Sequence, residues 1–326
     1  MIGLGRPVPP LAGKTQDDEV NTLTWAVVLA GGQGARLGGL TRHVYGEERP
    51  KQYAALMGNK SLLRQTLERV SVRIPAGRTV VVTMAGQGAY LAKELRHESP
   101  ALRVLQQPED RGTAAAVLLA AHWMLARDPE ARLVVLPSDH FVSNDTIFME
   151  HVVEVLTTLE TQPDRIVLLG GEPTEPETDY GWIEVGAKLP ESGRSPVYRV
   201  LCFSEKPSRE MANELFASGA LWNTSVFAGR AATLIEAGRQ CLPSLHERLA
   251  RLTAFLGTEH ERWALRQAYE LAPQANFSRA VLERLPSTLA VMRLSGVAWR
   301  DVGTPQRFMQ TLNELGLRPD WLAAQG

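Results

Sequence analysis

Trp25-Ala26-Val27-Val28-Leu29-Ala30-Gly31-Gly32-Gln33-Gly34-Ala35-Arg36-Leu37 is the stretch that decides the architecture. Its first six residues are apolar without interruption. Continuous apolarity, unlike alternation, marks a strand buried on both faces of a sheet. The glycines that follow let the backbone turn tightly, so that its N–H groups can approach an anion with no side chain in the way. The run is not the dinucleotide fingerprint, because counting from Gly32 puts Leu37 where the last glycine belongs. No Gly-Lys-Ser/Thr follows to make a P-loop. Taken by itself the loop reads equally well as a plain strand-to-helix turn. Arg36, two residues past the turn, is what favours a phosphate cradle.

Working outward, similar apolar runs recur at residues 79–83, 133–136 and 165–169, and residues 61–70, 112–127 and 145–161 between them have helical spacing. Strand and helix in alternation predict a doubly wound, Rossmann-like α/β core. In the second half, residues 180–185, 197–203 and 288–294 read as strands and 305–315 as a last helix. Residues 231–272 read as a small helical insertion beside the sheet, with Pro243 as a helix start. Residues 1–22 mix Pro, Gly and the acidic run Asp17-Asp18-Glu19 with no apolar core, so they are expected to be a flexible tail and not a signal peptide. Residues 23–326 are expected to form one catalytic domain.

Composition narrows the function. A chain of 326 residues, 44% hydrophobic and 22% charged, has material for a large core. Its net charge of -1 provides no field to attract nucleic acid or an anionic membrane. The most apolar long segment, residues 114–126, is interrupted by His122 and is shorter than the roughly 20 residues of a membrane span. The two cysteines, Cys202 and Cys241, have no metal-binding spacing and read as reduced thiols of a cytoplasmic protein. The expected partners are therefore small molecules, with no nucleic acid and no membrane, and a homodimer is left open.

Several charged residues are candidates for chemistry. Arg36 and Lys51, the latter in Arg49-Pro50-Lys51-Gln52, could converge on one polyphosphate, arginine as a fork and lysine as a point charge. Asp139, in Pro137-Ser138-Asp139-His140, follows a strand at the edge where open α/β sheets bind ligands, and suits a hard cation. Asp301, in Trp299-Arg300-Asp301-Val302-Gly303, is a second such acid, and the two could meet on one Mg²⁺. The plain alternatives are a solvated lysine and a turn-capping aspartate. His140 lacks a second histidine at ligand spacing and reads as a supporting residue, and His122 as a partly buried one. Glu205 and Asn223 can bond sugar hydroxyls and Lys206 can neutralise a monophosphate, although composition alone reads them as a strand end with an exposed ion pair.

In this order the motifs resemble the sugar-1-phosphate nucleotidyltransferases, most closely the mannose-1-phosphate guanylyltransferases. The likeness runs over residues 25–308. Leu29 to Leu37 is similar to that family's nucleotide-binding signature, Pro50-Lys51-Gln52 to its guanylyl-type variant, and Leu136 to His140 to its metal-aspartate element. Tyr180-Gly181-Trp182-Ile183, Glu205-Lys206-Pro207 and Trp222-Asn223 resemble its sugar-phosphate pocket, and Trp299 to Gly303 its second metal carboxylate. The resemblance implies a nucleotidyltransferase sheet of the GT-A-like type and transfer from GTP to mannose-1-phosphate. It further implies that Arg36 and Lys51 grip phosphates and that Asp139 and Asp301 hold Mg²⁺. By the same likeness Leu29, Ala30, Gly31, Gly32, Gly34, Gln107, Gly112 and Thr113 bind the nucleotide. Gly181, Glu205 and Asn223 bind the hexose and Lys206 its phosphate.

The chain departs from the family pattern at three residues, and its loop between Arg42 and Pro50 is longer than the resemblance leads one to expect. Gln107 stands where the family has Glu, Gly112 where it has Asn, and Ser278 where it has an acid. No isomerase, cupin or β-helix segment follows the matched region, so a single activity is expected. Another base or hexose, an isoprenoid-type cytidylyltransferase, a non-catalytic nucleotide-sugar-binding homologue and a dinucleotide-dependent dehydrogenase stand as alternatives.

Overall fold

The computed structural model describes residues 23–190 and 194–323, so the expected N-terminal tail lies outside the described residues. Its strands are β1 (Thr24–Leu29), β2 (Thr79–Met84), β3 (Arg103–Gln107), β4 (Arg132–Pro137), β5 (His140–Val142), β6 (Ile166–Gly171), β7 (Gly181–Lys188), β8 (Val197–Glu205), β9 (Leu221–Arg230), β10 (Leu289–Leu294) and β11 (Trp299–Asp301). Nine of them form one sheet in the order β3-β2-β1-β4-β9-β6-β10-β8-β7, and β11 pairs with β5 as a separate two-stranded ribbon. β1 runs parallel to β2 and β4, as uninterrupted burial at Ala26, Val27 and Val28 requires. The sheet is mixed because β9 lies antiparallel to both β4 and β6.

Side chains of β1 alternate between two cores. Val27 joins Val80, Leu133 and Leu168 beneath helix Gly112–Leu125, whereas Ala26 and Val28 join Val81 and Val134 with residues of helices Leu62–Ser71 and Asp145–Thr161. Each large aliphatic side chain buried this way contributes about 1.5–3 kcal/mol. Helix Gly112–Leu125 is buried from Ala114 to Met124, with no solvent face. Helices Ala231–Cys241, Pro243–Leu252 and Glu261–Glu270 contribute to the core cluster that includes it, which explains why its sequence is apolar all round.

β9 lies at the centre of the sheet, yet its Asn223-Thr224-Ser225 hides it from an apolarity scan. Two of those polar side chains are engaged internally. Thr224 Oγ1 donates to Leu169 O at 2.5 Å, and Asn223 Oδ1 accepts the Ser225 N–H at 3.0 Å. Ser225 adopts a φ of 58°, and the β6–β9 register shifts between Leu168 and Gly170. Among the described residues no helix is long and apolar enough to cross a membrane.

Candidate active site

The glycine loop leaves the end of β1 with its carbonyls turned inward. Gln52 Nε2 donates to Ala30 O at 2.9 Å and to Gly32 O at 2.7 Å, and Gln87 Nε2 donates to Gly31 O at 3.3 Å and Gly32 O at 3.1 Å. A planar trans peptide points each N–H opposite to the preceding carbonyl. The N–H groups of Gly31, Gly32 and Gln33 are therefore turned away from the two buried amides, and among the described residues none makes a backbone hydrogen bond. They form a ready anion cradle. Leu29 has a different part, because its carbonyl accepts both the Ser138 N–H at 3.1 Å and Ser138 Oγ at 2.7 Å, which ties the loop to the turn bearing Asp139.

Gly34 closes the loop at a φ of +63°, and a Cβ there would sit 2.7 Å from the Lys51 backbone nitrogen. Only glycine allows this approach. Gly34→Ala is expected to destabilise the fold by about 1–3 kcal/mol and to displace Lys51, lowering kcat/KM more than tenfold. An unchanged melting midpoint with unchanged kinetics would contradict this.

Lys51 brings the two sequence-distant acids together. Its Nζ lies 2.8 Å from Asp139 Oδ2 and 3.7 Å from Asp301 Oδ1, and the three side chains are only 11%, 24% and 21% exposed. The ribbon explains the meeting, because Asp301 of β11 pairs with His140 of β5, one residue after Asp139. Burial works against ionising Asp139, but the Lys51 ammonium overrides it and holds the carboxyl below its usual range. Burial likewise disfavours the Lys51 cation, and Asp139 and Asp301 more than compensate, raising its pKa. His140 is kept neutral chiefly by burial, its pKa falling despite Asp139 and Asp301. Its Nδ1 accepts the Trp299 indole N–H at 3.2 Å, which assigns the proton to Nε2.

Arg307 was not legible as a site residue. Thr304 caps the helix Pro305–Glu314, which a further short helix, Asp320–Ala323, follows, and Arg307 projects from its first turn toward the acids. Its Nη1 lies 3.5 Å from Asp301 Oδ2, its Nε is 3.8 Å from Glu177 Oε2, its Nη2 pairs closely with Asp179, and its guanidinium sits 4.9 Å from the Tyr180 ring centre. Arg36 reaches the same group, 3.9 Å from Asp179, and a Cβ on Gly303 would meet both Asp301 Oδ1 at 2.9 Å and Arg36 Nη2 at 3.1 Å. Arg36, Lys51 and Arg307 thus surround Asp139, Asp301, Asp179 and Glu177.

The proposed sugar residues also converge. Gly181 of β7 pairs with Glu205 of β8, and Trp182 pairs with Trp222 of β9, which puts Asn223 alongside. A Cβ on Gly181 would lie 2.8 Å from Glu205 Oε2 and 3.1 Å from Asn223 Cβ. Burial raises the Glu205 pKa and Lys206 and Arg279 oppose it, while nearby Glu283 adds to the rise. Lys206 takes a φ of 53° and gives its N–H to Tyr180 O at 3.1 Å, leaving an exposed side chain. Ser278, where an acid was expected by resemblance, begins a π-helical turn, Ser278–Leu282, whose neighbours contact Glu205 instead. Arg279 Nη2 donates to its carbonyl and Glu283 Oε1 accepts its N–H.

At the opposite end of the loop, Gln107 closes β3 and its Nε2 comes 3.1 Å from where a Gly31 Cβ would stand. Gly112, at a φ of +78°, packs against the Ala275 carbonyl, which a Cβ would approach to 2.3 Å. Thr113 Oγ1 accepts the Phe277 N–H at 2.9 Å, so its acceptor is already engaged.

Among the described residues no group of three or more His, Cys, Asp and Glu side chains could enclose a metal. Asp139 and Asp301 remain as a pair, and a pair fits a hard cation of the Mg²⁺ type. Such ions dehydrate reluctantly and take one or two carboxylates together with substrate phosphates.

A family model for nucleotidyl transferases matches residues 25–316. The mannose-1-phosphate guanylyltransferase of Sinorhizobium fredii is 32% identical over 284 residues, covering 85% of this chain and 52% of the relative. Mannose-1-phosphate guanylyltransferase 2 of Escherichia coli O157:H7 is 31% identical over 291 residues, covering 86% of this chain and 58% of the relative. The chain thus spans little more than half the length of these relatives. The crystal structure of mannose-1-phosphate geranyltransferase from Thermus thermophilus superposes with a TM-score of 0.73 at 36% identity, over 86% of this chain and 77% of the other. Divalent-cation chemistry is general to this family, and the chain, matched by the family model over most of its length, belongs to the nucleotidyl transferases.

Proposed function

We propose that the chain transfers the guanylyl group of GTP to mannose-1-phosphate, giving GDP-mannose and pyrophosphate. The observation that carries this reading is the Lys51 ammonium held between Asp139 and Asp301 beside a loop of outward-turned N–H groups. The substrate pair is supported by the relatives of about 30% identity that carry that name. Free Cys202 and Cys241 fit a cytoplasmic setting.

The barrier to this reaction is the repulsion between two anions. A phosphate oxygen of the sugar-1-phosphate attacks the α-phosphorus, the bond between that phosphorus and its bridging oxygen breaks, and pyrophosphate leaves with the electron pair. The attacking oxygen is ionised at neutral pH, so the chain needs no general base. The N–H groups of Gly31 to Gln33, with Arg36 and Lys51, would grip the triphosphate. Gln107, Gly112 and Thr113 would border the base. Glu205 and Asn223 would orient the hexose hydroxyls over Gly181, and Lys206 would meet the monophosphate, supplying the alignment that lowers the entropic barrier. Asp139 and Asp301 would hold Mg²⁺, which when bound supplies charge neutralisation on the phosphates.

The test is pyrophosphate release measured over a matrix of five nucleoside triphosphates and the 1-phosphates of mannose, glucose, galactose and N-acetylglucosamine. GTP with mannose-1-phosphate is expected to give the highest kcat/KM. Preference for another pair would overturn the substrate assignment, and no release with any pair would overturn the transferase reading.

A further inference from the structure

The helix Glu261–Glu270 reaches the glycine-loop region through Tyr269, in its last turn. Tyr269 is fully buried, and its hydroxyl lies 3.0 Å from Gln107 Oε1, a partner 162 residues away, with Ala115 O farther off at 3.4 Å. Burial pushes the phenol pKa up, so the hydroxyl keeps its proton. The shorter contact goes to the amide oxygen. The other end of the same amide, Nε2, then faces Met84 Sδ at 3.7 Å and the Gly31 backbone. A thioether is a weak acceptor, so two amide N–H groups share one weak partner beside the proposed cradle. The reversed amide would set an acceptor oxygen against a sulfur that has no proton to give, and is disfavoured on that ground.

The surrounding backbone fixes this arrangement. Ala114 N–H donates to Ala275 O at 3.0 Å, Ala275 N–H to Arg111 O at 3.0 Å, and Arg111 Nη2 to Glu270 O at 2.8 Å. The stretch from Tyr269 to Phe277 is therefore laced to residues 111–114, and the phenol is carried on the same frame as the loop it addresses.

We propose that Tyr269 is a positioning residue for base selection: by taking Gln107 Oε1 it leaves the Gln107 amide nitrogen to meet the base, so that the site accepts a carbonyl oxygen at purine position 6 or pyrimidine position 4 and rejects an amine there. The inference rests on the nucleotidyl-transfer reading and adds the rule by which the base is chosen. A donor fixed in place discriminates because the wrong base puts donor against donor and leaves both unpaired.

The experiment measures kcat/KM and, by calorimetry, Kd for GTP, ITP, ATP, UTP, CTP and 2-aminopurine riboside triphosphate, with the wild-type chain and Tyr269→Phe. In the wild type, ITP, which keeps the 6-oxygen, is expected within about tenfold of GTP, and 2-aminopurine riboside triphosphate, which lacks it, at least about tenfold below. In folded Tyr269→Phe the ratio of GTP to the 2-aminopurine nucleotide is expected to fall at least about tenfold, since the amide is free to turn over. A merely structural role would lower every nucleotide in proportion, and that result overturns the proposal, as does a folded variant with an unchanged ratio. Should the variant fail to fold, the wild-type series decides alone, and equal use of GTP and the 2-aminopurine nucleotide overturns the proposal. A preference for UTP over both GTP and CTP would overturn the guanylyl reading while supporting this one. A chain that binds without transferring gives the same answer through Kd.

Discussion

Asp139→Asn is expected to lower kcat/KM by at least about 100-fold, or roughly 2.7 kcal/mol of transition-state stabilisation, with the fold retained. The substitution keeps the shape of the side chain and removes one of the two carboxylates assigned to the cation. It leaves Lys51 still facing Asp301 at 3.7 Å, so no buried charge is stranded. The stability consequence has a defined pH dependence. Asp139 titrates below its ordinary value of 3.8 in the folded chain, so the pair's contribution is present above that value and is lost as pH falls through the depressed folded one. Lys51 titrates above its ordinary 10.5, so its contribution is present below that value and is lost as pH rises through the raised folded one. Above 6.5, the ordinary value of the His140 that Asp139 faces, and below 10.5, the stability difference between wild type and Asp139→Asn should be flat with pH, as read by denaturant melts. A slope near neutrality would contradict the pairing.

Lys51→Met is expected to produce a comparable loss of kcat/KM with an opposite relation to metal. Removing the ammonium takes away the ion-pair partner that Asp139 has at 2.8 Å and leaves Asp301 with Arg307 at 3.5 Å, so the negative charge of the site is less well compensated. Breaking a fully buried pair costs about 3–5 kcal/mol. With the two carboxylates 24% and 21% exposed, a loss of about 1–3 kcal/mol is expected after solvent screening. Because a divalent cation would replace the lost charge, Mg²⁺ should raise the melting midpoint of Lys51→Met more than that of wild type, where Lys51 competes for the same oxygens. Equal or smaller metal stabilisation in the variant would contradict the assignment of both carboxylates to one ion.

The residues that were readable from sequence are those whose role leaves a local mark. β1, β2, β4 and β6 each carry an unbroken apolar run, residues 25–29, 80–82, 133–136 and 166–169, because both faces are buried, and Asp139 stands out because it follows such a strand. Gly34 and Gly112 are marked by composition, and the structure shows the contacts that forbid a side chain at each. β9 was hidden because a buried strand can carry Asn223, Thr224 and Ser225 where a register shift and a left-handed residue let Asn223 and Thr224 bond to the backbone, which no periodicity reveals. Arg307 and Gln87 act across the sheet and ribbon on residues far away in the chain. Their only sequence signals are the Thr304-Pro305 helix start that aims Arg307, and the position of Gln87 just past a strand end. Tyr269 is likewise an ordinary helical aromatic until the fold sets its hydroxyl on Gln107.

The most direct test of the shared-ion claim is an electron paramagnetic resonance titration of Mn²⁺ in the presence of a non-hydrolysable GTP analogue, with wild type, Asp139→Asn, Asp301→Asn and the double variant. Each single substitution is expected to weaken Mn²⁺ binding at least about tenfold, and the double variant to lose little beyond either alone, as partners on one ion should. Wild-type Mn²⁺ affinity in the folded double variant would contradict the account.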